Sequence, residues 1–177
     1  VGRLISPSRF LADRFEHWGV EPGKIAVIEN GLKVAQPVAQ PSRPEGRPWT
    51  FGFFGQVNPF KGVEVILAAA EHIARNRDLA QRIRIEIRGN VIGQSAEFER
   101  RLAGALRKHD FLSYEGPYDN ARVSELMRDC DYVVVPSTWW ENSPVVIQEA
   151  YAAGAPVICS NIGGMAEKVA DGITGLH

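Results

Sequence analysis

The sequence predicts an α/β protein built on a doubly wound parallel sheet. Three observations predict it. After Pro48, short β-branched or aromatic runs alternate with helix-spaced apolar residues, and this passage from strand to helix recurs five times. The first four runs close on a glycine or proline, at Gly55, Gly89, Gly116 and Pro136. Strands separated by helices must run parallel, with the helices covering both faces, and right-handed crossovers then wind the sheet in both directions.

The elements follow in order. Leu4-Ile5 reads as a strand end, and Ser6 or Ser8 caps a helix over 7–18 whose apolar stripe is Phe10, Leu11, Phe15 and Trp18. Residues 24–29 form a second short strand, and Asn30-Gly31 turns out of it. Between 37 and 48 the composition shifts to Pro, Gln, Ser, Arg and Gly, as in an exposed linker. The chain therefore divides into an opening segment (1–36), that linker (37–48) and the α/β domain (49–177).

Within the domain, 49–55 is a buried strand, and Val63, Ile66, Leu67, Ala70 and Ile73 keep helical spacing. Residues 83–89 alternate as a second strand, and Phe98, Leu102 and Leu106 mark a helix. Residues 111–116 form the third strand. Asp119 or Asn120 then caps a helix carrying Val123, Leu126 and Met127. The fourth strand is 131–136, followed by a loop and a helix over about 144–154. Residues 156–160 are the fifth strand, and Gly163-Gly164 opens a last short helix.

Composition narrows the function. The chain has 177 residues and a net charge of −1, which disfavours general nucleic-acid or membrane-surface binding. No apolar run approaches a membrane span, and Val1 opens no signal peptide. Cys130 and Cys159, each beside a predicted strand, read as buried free thiols of a reducing cytosol. His17, His72, His109 and His177 are scattered without metal-ligand spacing. No metal site is expected.

Candidate sites lie at strand ends. The stretch 141–149 reads loop then helix, with Glu141 in the loop and Glu149 one turn inside the helix. Asn142 or Ser143 can cap that helix, and Pro144 suits its first turn. Unpaired helix-end amides suit an anionic or hydroxylated ligand. Glu149 sits among Val145, Val146, Ile147 and Ala150, so it is half buried and needs a partner, which favours a functional role. For Glu141 alone, a ligand-binding role and a solvated loop carboxylate stand level. The turn 55–62, with Lys61, can hold a diphosphate or be an ordinary βα turn. It has neither G-x-G-x-x-G nor P-loop spacing. Gly163-Gly164 permits close approach of a ligand or simply turns. Trp139-Trp140 suits a sugar platform, a core position or, preferred here, a surface toward another domain.

Taken together, these motifs resemble the C-terminal, donor-binding half of a GT-B glycosyltransferase of glycosyltransferase family four. The resemblance rests on Phe54-Gly55 with Lys61-Gly62, Pro136-Ser137, the E-x7-E pair Glu141/Glu149, Gly154-Ala155-Pro156-Val157-Ile158, Gly163-Gly164 with Glu167, and Asp171-Gly172 with Gly175. It spans essentially the whole chain. It implies a Rossmann-like GT-B half-domain and a retaining transfer of a hexose from a nucleotide diphosphate sugar to a glycan or lipid-linked acceptor, with no metal or other cofactor. It places Glu149 on the ribose, and Glu141 on the hexose with amides of Asn142, Ser143, Pro144 and Val145 near. Lys61 sits on the diphosphate beside Gly55 and Gln56, and the base lies near Arg88, Asn90, Pro117 and Tyr118. Catalysis falls to Glu141 and Lys61. The family's arginine position falls on Gln56, a neutral amide, and Asn142-Ser143-Pro144 replaces a glycine-rich loop. The resemblance also implies an N-terminal acceptor domain beyond Val1, truncation at both ends, an inactive isolated fragment, no nucleic-acid partner and membrane contact only through the missing half. Location is expected to be cytoplasmic, peripheral at the inner membrane face. A sugar-nucleotide epimerase of the same architecture and a non-catalytic nucleotide-binding module are the alternatives.

Overall fold

Residue alternation along the strands decides which helix covers which face. The computed structural model describes residues 2–32 and 43–177. In chain order its elements are β1 (Leu4–Ser6), α1 (Arg9–His17), β2 (Ile25–Val27), β3 (Trp49–Phe54), α2 (Val63–Ile73), α3 (Arg77–Gln81), β4 (Ile83–Arg88) and α4 (Ala96–Lys108). There follow β5 (Leu112–Gly116), a 3-10 turn at Asn120–Arg122, α5 (Val123–Arg128), β6 (Tyr132–Val135), α6 (Val145–Ala152), β7 (Val157–Cys159), α7 (Gly163–Lys168) and β8 (Gly175–Leu176).

Neighbouring strand residues point to opposite faces. Phe53 joins a core made with Val63, Ile66 and Leu67 of α2, Ile85 and Ile87 of β4, and Phe98 and Leu102 of α4. Phe54 joins a second core with Met127 of α5, Ile147 and Ala150 of α6, and Met165 of α7. Helices thus cover both faces of a parallel sheet, as the sequence predicts.

That sheet has six strands, in the order β5-β4-β3-β6-β7-β8. The added strand, β8, is two residues after a turn, too short for any periodicity. The sequence reading also passed over α3, a polar helix with no buried residue that Asn76 caps through Leu79 N at 3.1 Å. Other boundaries shrink by a residue or two: the predicted strand over 131–136 is Tyr132–Val135, and that over 24–29 is Ile25–Val27.

Strand order fixes where a ligand can enter. From β3 the chain steps outward through β4 and β5, then returns to lay β6 on the other side of β3. Winding direction reverses there, so the loops after β3 and β6 part and leave a crevice at the strands' carboxyl ends.

The opening segment stands apart. β1 and β2 form their own two-stranded parallel sheet, with α1 between them. Ser8 caps α1, its Oγ accepting from Leu11 N at 3.1 Å. Of the predicted linker, residues 37–42 lie outside the described residues, as do Val1 and residues 33–36 of the opening segment. Its end, 43–48, is pinned rather than free. The Arg47 guanidinium meets Asp131 Oδ2 at 2.8 Å, and the Arg43 guanidinium lies 4.1 Å from the Trp49 ring centre. The thiols of Cys130 and Cys159 are buried, and burial pushes them up to about 12 and about 11. Among the described residues, no helix is long and apolar enough to cross a membrane.

Candidate functional site

The crevice is walled by two loops, one from each side of the reversal. After β3 the chain turns at Gly55, whose N–H donates to Arg88 O at 3.1 Å, and Val57 N donates to Asn90 O at 2.9 Å. Gly89 takes φ +147°, and any Cβ there would overlap the Gly55 carbonyl. Only bare backbone lets β3 and β4 end side by side at this rim. Asn58 then accepts from Lys61 N at 2.8 Å and sets the start of α2.

After β6, Ser137 is buried at 1% exposure, and its hydroxyl donates to Glu141 Oε1 at 2.9 Å. Lys61 Nζ donates to the same oxygen at 2.7 Å. The loop after β3 therefore supplies the cation and the loop after β6 the carboxylate, joined across the crevice. Thr138 ties the loops a second time, its N–H donating to Phe60 O at 2.9 Å.

Support for the acidic loop comes from behind. Gly164 N donates to Glu141 O at 2.6 Å. A Cβ at Gly164 would stand 2.7 Å from Glu141 O and overlap the Asn142 carbonyl, and one at Gly163 would meet Glu141 O at 3.0 Å. The double glycine admits a close approach, and what approaches is the acidic loop's own backbone.

Helix α6 begins later than the sequence reading had it. Pro144 holds the capping position at φ −66°, and no side chain caps the helix. Neither Asn142 nor Ser143 reaches the first turn, because neighbours already hold both backbones. Asn142 O lies against Gly164, and Ser143 O accepts from Asn30 Nδ2 at 3.3 Å. Ser143 Oγ is buried without a hydrogen-bond partner among the described residues. The first amides of α6 are therefore not taken up by a side chain, and they carry the positive end of the helix dipole.

A cavity of about 390 Å³ occupies the crevice, and its wall includes Gly55, Gln56, Lys61, Tyr118, Glu141, Pro144 and Val145. Arg88, Asn90, Pro117, Asn142, Ser143 and Glu149 are outside this wall, and the Arg88 guanidinium is engaged by Glu86 Oε2 at 2.8 Å. Glu149 is half buried with no hydrogen-bond or ion-pair partner for its carboxylate among the described residues, and burial raises its pKa. Its negative charge reaches Tyr118, whose phenol is pushed up first by burial and then by Glu149. Tyr118 in turn meets Phe54 edge-on, ring centres 5.5 Å apart. Among the described residues no group of three or more His, Cys, Asp or Glu side chains is placed to hold a metal ion.

Sequence reasoning named Ser137 and Glu167 within motifs but gave neither a role: the Ser137 hydroxyl fixes the carboxylate that Lys61 shares, and Glu167 belongs to a different contact. Both Glu167 oxygens accept backbone amides of α1, from Arg9 N at 2.8 Å and Phe10 N at 2.7 Å. The signal for Glu167 was a capping carboxylate, but it lies 158 positions from the helix it caps. Trp139 and Trp140 are both exposed, at 62% and 57%. Trp140 meets Phe10 of α1 edge-on at 6.0 Å, while Trp139 meets Phe60 edge-on at 5.9 Å.

Three comparisons bear on this geometry. D-inositol 3-phosphate glycosyltransferase of Corynebacterium efficiens is 32% identical over 178 aligned positions, covering 94% of this chain and 42% of that protein. The enzyme of the same name from Stackebrandtia nassauensis is 36% identical over 129 positions, covering 71% of this chain and 29% of that one. The chain thus spans less than half the length of these relatives. In structure, it is similar to Anabaena HepE, solved in complex with UDP, with a TM-score of 0.80 at 22% identity, covering 99% of this chain and 49% of HepE. The fold is that of a Rossmann-like GT-B half-domain. The family model described as glycosyl transferases group 1 matches residues 36–177. By that match, and by these relatives, the chain belongs to the glycosyl transferases group 1 family.

Proposed function

We propose that the chain is the donor-binding half of a retaining hexosyltransferase of family four, taking a nucleotide diphosphate sugar and passing its hexose to a glycan or lipid-linked acceptor without a metal. The observation that carries this reading is the Lys61–Glu141 pair, 2.7 Å apart over the uncapped start of α6. The HepE complexes with UDP and with UDP-glucose support a nucleotide-sugar ligand, and the relatives' names support glycosyl transfer.

In the proposed reaction, the bond between the anomeric carbon and the diphosphate oxygen breaks, and its electron pair stays on the diphosphate. The acceptor's hydroxyl oxygen bonds the anomeric carbon, and its proton leaves with the diphosphate. Charge therefore gathers on the leaving group in the transition state. A fixed ammonium and the helix-end amides stabilise that charge without reorganising. Glu141 accepts hydrogen bonds from the hexose hydroxyls as Lys61 turns to the phosphates. Glu149 accepts from the ribose hydroxyls, beside Tyr118, where the base lies. Gln56, neutral beside the phosphates, leaves Lys61 as the cation there. The enzyme works in the cytoplasm at the membrane's inner face, where the donor is supplied.

Calorimetric titration of UDP and UDP-glucose into the wild type, Lys61→Ala and Glu149→Ala tests the reading. Each substitution is expected to weaken binding about tenfold, the value of one charge-assisted hydrogen bond. Equal affinity in wild type and Glu149→Ala would remove the ribose assignment. Loss of binding on adding a chelator would remove the metal-free mechanism.

A further inference from the structure

Beside the first cavity lies a second, of about 320 Å³, lined by Gln56, Asn58, Phe60, Lys61, Trp139 and Glu141. Gln56, Lys61 and Glu141 wall both. We propose that this second cavity is the donor half's share of the acceptor subsite, and that the acceptor's pyranose ring stacks on Phe60 and Trp139. The proposal rests on the donor reading of the first cavity.

Its aromatic wall lies outside both cores of this chain. Phe60 and Trp139 are 63% and 62% exposed, in edge-to-face contact at an interplanar angle of 78°. Trp140 next to Trp139 is spent otherwise, with Phe10 on one side and the Arg14 guanidinium 5.9 Å from its ring centre. The two tryptophans are thus divided between an intramolecular contact and an open surface. That surface is also fixed in shape. Thr138 N and Oγ1 donate to Phe60 O at 2.9 Å and Pro59 O at 3.3 Å, so the loops that carry the two rings move as one.

The lining chemistry selects the ligand. Aromatic faces suit the apolar C–H face of a pyranose. The Gln56 and Asn58 amides and the Glu141 carboxylate suit its hydroxyl edge. Lys61 is the one cation among these lining residues, and in the donor reading the diphosphate takes it, so a second phosphate has no partner here. Position selects the acceptor over the donor. A ring in this cavity presents its hydroxyls to the Lys61–Glu141 border, where the bond from hexose to diphosphate of a donor in the first cavity would lie.

The test uses the full chain, labelled with nitrogen-15, whose four tryptophans give four indole N–H signals. The Trp139 signal is assigned by its loss in Trp139→Phe. UDP is added to saturation, then methyl α-D-glucopyranoside or methyl α-D-mannopyranoside. The expected result is that a hexoside shifts the Trp139 indole and leaves those of Trp18 and Trp49 in place. Trp139→Ala and Phe60→Ala should keep UDP affinity, which also reports that they are folded, and lose about tenfold or more in hexoside affinity. If UDP binds but hexosides bind wild type and Trp139→Ala alike, or bind neither, the subsite is wrong and the donor reading stands. Failure of UDP itself to bind the wild type would instead sink the donor reading. A Trp139 shift with UDP-glucose that shuts out the hexosides would assign the platform to the donor hexose and overturn the acceptor assignment.

Discussion

Glu149 shows how a residue proposed to bind the ribose can cost stability. Its carboxylate lies half buried with no donor among the described residues, and burial raises its pKa above 4.5. Between 4.5 and the raised folded value, the folded state therefore binds more protons than the unfolded one. Stability falls as pH rises through that window and stays lower above it. Glu149→Gln is expected to melt higher than wild type at pH 7, to lose that part of the pH dependence, and yet to bind UDP more weakly. Thermal melts across pH 4–8, read beside a UDP titration, check all three; a lower melting temperature for the variant at pH 7 would contradict the burial argument. Gln56 offers the opposite case. It stands at the cavity wall where an arginine would face a diphosphate. Gln56→Arg is expected to tighten UDP binding by about threefold or more, with a steeper loss on adding salt.

At the scale of elements, loops after β3 and β6 owe their shape to backbone contacts. The acidic loop rests on the start of α7, with no room for a side chain at Gly164. Gly164→Ala should therefore cost about 1–3 kcal/mol in urea unfolding, as overpacking does. It should also weaken UDP binding, because the same displacement moves Glu141 off Lys61. The ion pair is half buried, Lys61 and Glu141 being 38% and 16% exposed, so removing Lys61 leaves a largely buried carboxylate with Ser137 as its remaining donor. Lys61→Ala is accordingly expected to lower the unfolding midpoint by less than Gly164→Ala does, while UDP affinity falls about tenfold. The two variants separate a scaffold defect from a lost contact.

Across the whole molecule, the opening segment and the α/β domain are joined by polar contacts and the edge-on Phe10–Trp140 pair rather than a shared core. Glu167 caps α1 through two amides, Gln148 Nε2 donates to Asn30 O at 3.0 Å, and Lys168 pairs with Glu29. Contacts of this kind permit adjustment between units. Glu167→Ala should cost about 1 kcal/mol, the value of a helix cap. It should speed hydrogen exchange at Arg9 and Phe10 without speeding exchange in the sheet. Protection of those two amides unchanged in the variant would show that the cap is not what holds α1.

By itself, the sequence determined the alternation of elements, the two-faced helix cover and the residue types at the rim. Those are local properties: the isoleucines of β4 sort to one face whatever lies beyond, and Glu149 sits in an apolar helix whose sequence announces it. Tertiary structure alone decided which ends meet. Lys61 and Glu141 are 80 positions apart, and only the reversal of strand order at β3 and β6 brings them within 2.7 Å. The same holds for the cap that Glu167 gives α1, and for the roles that divide Trp139 from Trp140. Periodicity reports how a segment is buried and carries no record of which distant backbone lies against it. That is also why the caps expected from Asn142 and Ser143 failed: residues remote in the chain had already claimed their backbones.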